Sequence, residues 1–176
     1  MDQQQKVIKE SLNLNSSLME FTGPKLTKLV LTRLDGKSTV EVISPFEDCN
    51  EFTKCGSFIM YPWVGRLTST ENLFKYMGKE VKEFPKMDIS RGFPLHGFFL
   101  TADRKVVAKD NNTISFESID TSYFDLFPKF TEKYILKDST LEIETTFENT
   151  TDKTQYFAYG YHPYLGIDST SINDLN

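Results

Sequence analysis

From Leu26 onward the dominant period of this chain is two, with apolar and polar residues alternating in runs separated by turn-forming clusters. That pattern leaves few folds open. "KLTKLVLTRLDGKSTVEVIS" holds two β-rich runs joined at Asp35-Gly36, a dipeptide that accepts the positive φ of a tight hairpin. "RKVVAKDNNTISFESI" signals a second hairpin, with Asp110-Asn111-Asn112 between Val106-Val107 and the alternating Ile114 and Phe116. "KFTEKYILKDSTLEIETTFENTTDKTQYFAYGYH" reads as three strands, with turns at Lys137-Asp138-Ser139 and between Asn149 and Lys153. Leu141, Ile143 and Phe147 share one face there and Glu142, Glu144 and Glu148 the other. Successive hairpins with one apolar and one polar face predict an all-β, antiparallel sandwich or barrel. Residues 1–20 are expected as a short helix or loose arm, with "SLNLNSS" as a flexible join, and residues 21–176 as one sandwich domain.

The 15 Phe and 8 Tyr among 176 residues supply the bulk that a core of this size needs. A formal net charge of -5 without a cluster of Lys and Arg argues against nucleic acid or an anionic membrane surface as partner. The N-terminus lacks the continuous apolar core of a signal peptide, and no run approaches the ~20 apolar residues of a membrane span. A cytoplasmic location is the default expectation. Cys49 and Cys55, with five residues between them, match neither a CxxC redox pair nor a zinc site, so they read as free, partly buried thiols.

The chain has two histidines, and both lie where the pattern is unusual. In "FAYGYHPYLGID" a strand would turn Phe157, Tyr159 and Tyr161 one way and Ala158, Gly160 and His162 the other, leaving a shallow recess beside the imidazole. Pro163 holds His162 extended. An imidazole with an ordinary pKa near ~6.5 suits a general acid, although a strand histidine bonded to backbone would have no chemistry at all. Between the hairpins, Phe46 to Leu100 is aperiodic and rich in Gly and Pro, the kind of loop region that carries function on a regular scaffold. It contains His96 in "GFPLHGFFL", followed by Gly97, and Arg66 with the single tryptophan, Trp63, in "GSFIMYPWVGRLTS". A guanidinium offers a fork of donors and an indole a flat surface to a hydroxyl-covered ring. Arg66 could equally belong to a surface ion pair and Trp63 to the core.

Three segments in this order, "GSFIMYPWVGRL", "FKYMGKEVKEF" leading to "LHGFF", and "YGYHPYLGI", resemble the aldose 1-epimerase (galactose mutarotase) family. The resemblance covers most of residues 21–168. It implies an antiparallel β-supersandwich of the galactose mutarotase type, and interconversion of the α and β anomers of a free aldohexose such as glucose or galactose, without cofactor or metal. By the same resemblance His162 is the general acid on the ring oxygen, and His96 and Arg66 contact substrate. The family's base is a glutamate well beyond the His-Pro-Tyr segment, whereas fourteen residues follow His162 here. The base is therefore expected to be absent from this chain, and neither Asp168 nor Glu148 takes its place. A sandwich incomplete at its C-terminus would expose sheet edges and invite self-association. The alternatives are a non-catalytic carbohydrate-binding module and a hexose-6-phosphate 1-epimerase-like protein, the latter disfavoured by the lack of a basic cluster.

Overall fold

The computed structural model describes residues 9–23, 25–43, 56–66, 95–97, 99, 102–118 and 126–166. All regular structure among them is β. Strands β1 (Lys9–Leu14), β2 (Ser17–Thr22), β3 (Lys25–Thr32), β5 (Ser57–Met60) and β10 (Gly160–Pro163) lie side by side in that order, with β4 (Thr39–Ile43) also paired to β3. Strands β6 (Arg104–Lys109), β7 (Thr113–Ser118), β8 (Lys129–Lys137) and β9 (Thr140–Glu148) form a second sheet in sequence order. Every strand pairing is antiparallel. No helix among the described residues is long and apolar enough to cross a membrane.

The predicted hairpins form for the predicted reasons. Gly36 adopts φ +67°, which costs a residue without Cβ little, and its N–H donates to Arg33 O at 2.8 Å. Asp110 Oδ1 accepts from the N–H groups of Asn112 and Thr113 at 3.0 and 2.8 Å, closing the β6–β7 turn from its own side chain. The third run departs from expectation: β8 and β9 pair over their full lengths, but residues 154–159 are not strand and β10 joins the other sheet.

The expected arm or short helix over residues 1–20 is also corrected where the structure describes it. Lys9–Leu14 and Ser17–Thr22 are a β-hairpin turning at Asn15, whose φ is +52°. The apolar residues Leu12, Met19 and Phe21 are buried, so the start of "SLNLNSS" is itself an alternating pattern in which Ser11 and Asn13 take the solvent face, while Ser17 is buried and donates to Asp138 O at 2.5 Å. Phe21 reaches across the sandwich to rings of the second sheet, with centroids 4.9 Å from both Phe116 and Tyr134. A buried Phe of this kind contributes roughly 1.5–3 kcal/mol. A second cluster, Ile59, Tyr61, Trp63, Phe99, Phe127 and Phe130, fills the other end of the interface.

Candidate functional site

Strand β5 is buried on both faces, and its alternation separates a core side from an outer side. Ile59 and Tyr61 join the core cluster, against which Tyr159 and Tyr161 pack. Phe58 and Met60 form a small separate cluster on the outer side with Tyr164. Because Gly160 pairs with Met60 and His162 with Phe58, β10 delivers its imidazole to that outer face. The His162 ring stacks on Phe58, 4.8 Å between centroids and 14° from parallel, and lies 5.0 Å from the ring of Tyr164. Its Nδ1 is buried and has no hydrogen-bond partner among the described residues. Among the described residues, aromatic faces hold this ring.

His96 arrives from a different part of the chain. Its N–H donates to Gly65 O at 2.8 Å, its carbonyl accepts from Tyr61 N–H at 3.3 Å, and its Nδ1 accepts from Gly65 N–H at 3.1 Å. Bridges between Arg66 and Leu95 and between Tyr61 and Gly97 flank it, so the segment after β5 clamps the histidine from both sides. Close approach explains Gly97: a Cβ there would fall 1.8 Å from Tyr61 O, at a φ of +78°. His96 itself has φ +60°, an uncommon conformation for a side chain of this size and one that recurs at functional sites.

The two imidazoles meet edge to face, with centroids 5.4 Å apart. Burial holds the His96 ring below the usual histidine pKa, and the neighbouring His162 and Arg66 push it the same way. A neutral ring accepting at Nδ1 carries its proton on Nε2, which makes His96 a hydrogen-bond donor. Arg66 bridges to the residue before His96 and its charge is felt at that ring. His162 and His96 thus lie together on the outer side of β5, with Arg66 near enough for its charge to act on the His96 ring.

Of the two readings open for Trp63 the core one holds, and the expected recess needs correction. Trp63 is 6% exposed and packs in the core cluster, so it offers no platform to a ligand. The recess beside Gly160 is occupied: a Cβ there would meet Met60 Cε at 2.6 Å and Val64 Cγ2 at 3.1 Å. Sequence reasoning also passed over Phe58 and Lys25. Lys25, on β3, is wholly buried with its Nζ 5.4 Å from the Phe58 ring centroid, and burial pulls its amine down to about 8. Both precede apolar residues that face the core, and only the strand pairing reveals that these two face outward. Cys49, Cys55, Asp168 and "FKYMGKEVKEF" lie outside the described residues.

The aldose 1-epimerase family model matches residues 27–175. The chain belongs to the aldose 1-epimerase family. Solved structures share its fold at low identity. A structure from Escherichia coli K12 matches with TM-score 0.67 and 16% identity over 92% of this chain and 53% of its own. A galactose mutarotase related enzyme from Lactobacillus acidophilus matches with TM-score 0.65 and 19% identity over 95% of this chain and 51% of its own. A galactose mutarotase-like protein from Lactobacillus casei gives TM-score 0.64 and 17% identity over 92% and 52%. The chain therefore spans about half the length of the solved structures it matches. No curated protein matches it. The galactose mutarotase-like, all-β architecture expected from the motifs is the one observed.

Proposed function

We propose that the outer face around His162 binds a free aldose and provides the acid side of anomer interconversion. The observation that carries this reading is the edge-to-face pair of His96 and His162, brought together from two distant segments beside Arg66. Interconversion requires a base to take the anomeric hydroxyl proton while the C1–O5 bond breaks and O5 gains a proton. Rotation about C1–C2 and reclosure on the other face then give the second anomer. His162 is the donor to O5, and the Nε2–H of His96 and the Arg66 guanidinium hold other sugar oxygens. The base is not assigned to any described residue.

Proton NMR of freshly dissolved α-glucose or α-galactose tests the reading directly. Anomer exchange faster than buffer supports it, and loss of that acceleration in His162→Asn assigns the acid. Binding detected by titration without acceleration would leave a carbohydrate-binding module. Preference for glucose 6-phosphate over glucose would favour the phosphorylated substrate class. Self-association belongs to the same reading: β9 is nine residues long and without proline, and no described residue pairs with its far edge. Sedimentation that stays monomeric at high concentration would remove that part.

A further inference from the structure

Strand β10 is only four residues long and among the described strands pairs with β5 alone, so the backbone ladder by itself sets little of where His162 stands. Beyond it, Gly166 N–H donates to Val42 O at 2.9 Å and fixes the downstream side. On the upstream side Ala158 N–H donates to Pro62 O at 2.8 Å, and a side chain ties the segment to the second sheet as well. Tyr159, three residues before His162, turns into the sandwich and meets a buried polar group there. Its hydroxyl accepts from Thr145 Oγ1 at 3.0 Å and donates to Glu132 Oε1 at 3.4 Å, and its ring lies edge-on to Phe147 at 5.3 Å. Glu132 is fully buried on β8, with its other oxygen bonded to the Arg104 guanidinium and to the Tyr134 hydroxyl at 3.3 Å. Burial and the Glu132 charge together push the Tyr159 phenol up to about 12, so its hydroxyl remains a donor throughout the neutral range.

We infer that Glu132, acting through Tyr159, is a positioning residue for His162: the second sheet holds the strand that presents the imidazole on the opposite, outer face. The inference rests on the proposed role of His162, but its geometry does not. Alternation along 159–162 makes the coupling direct, because an inward displacement or rotation at Tyr159 is passed to the outward residue across one strand turn of backbone. The Arg104–Glu132 pair supplies a fixed, charge-assisted anchor that a neutral side chain could not match at this depth.

Tyr159→Phe and Tyr134→Phe make the test on the full chain. Each deletes one phenol hydroxyl bonded to the same carboxylate, but only the first is tied to β10. With two histidines in the protein, the imidazole ring-proton signals are resolved and assignable through His96→Asn. The expected result is displaced His162 signals and a several-fold weaker glucose or galactose affinity in Tyr159→Phe, with Tyr134→Phe matching the parent in both. Thr145→Val, which removes the donor to the same hydroxyl, moves His162 in the same direction by less and provides a second reading if Tyr159→Phe fails to fold. Unchanged His162 signals in Tyr159→Phe and Thr145→Val, or equal changes in Tyr134→Phe, overturn the inference. If the parent binds no sugar, the proposed function falls while the ring-signal comparison still decides the anchor.

Discussion

The imidazole of His162 is fixed by what it stacks on, and that gives Phe58 a role no local sequence signal announces. The ring pair is nearly parallel and both members come from adjacent strands, so truncating Phe58 frees the imidazole on one side. Phe58→Leu keeps most of the apolar volume and is expected to cost about 1–2 kcal/mol of stability. It should also lower any anomerase rate more than sugar affinity, which a split of kcat from KM would show. His96 makes a separate prediction through pH. Its proton affinity in the folded protein lies below the ordinary value near ~6.5, so the native state binds fewer protons than the unfolded chain below that pH. The stability it contributes is present above about pH 6.5 and is lost progressively as pH falls from there through the lower folded-state value. Thermal unfolding should show this loss on acidification, and His96→Asn should flatten it, since Asn tolerates φ +60° and takes up no proton.

Hairpins with explicit turn chemistry were legible at the scale of elements, because Asp35-Gly36 and Asp110 specify their own bends. Less legible were strands buried on both faces, whose alternation vanishes: "SFIM" carries no face signal, and only its pairing with β10 reveals that Phe58 and His162 lie together. The two candidate histidines and Arg66 were nameable from motifs, while the filled space over Gly160 and the buried indole of Trp63 depend on packing from residues distant in the chain. The β1–β2 hairpin was missed because its solvent face is made of residues more common in loops. Within the clamp after β5, Gly97 is the element's narrowest point. Gly97→Ala forces a methyl against the Tyr61 carbonyl and an L side chain into the left-handed region. A loss of roughly 3 kcal/mol or more is expected by denaturant unfolding. The corresponding Gly36→Ala has open space around it and should cost only about 1–2 kcal/mol, set by φ alone.

At the scale of the whole molecule, one buried ion pair among the described residues ties β6 to β8 across the inner face of the second sheet. Arg104 and Glu132 are 2% and 0% exposed, so each depends on the other for its solvation. Glu132→Leu leaves a guanidinium stranded in the core and should cost about 3–5 kcal/mol, whereas Arg104→Leu combined with Glu132→Leu should recover much of that loss in a double-mutant cycle. The same division between sealed and open charge runs through the lysines. Reducing sugars carry a small open-chain fraction whose aldehyde condenses with neutral amines, and an amine near 8 is neutral far more often than an ordinary lysine. Lys25 would on that ground condense more readily than an ordinary lysine if water reached it, yet its burial is complete, while Lys105 and Lys137 are 56% and 51% exposed. Peptide mass spectrometry after prolonged incubation with glucose should find adducts on the latter two and an unmodified Lys25, until the fold that encloses it is opened.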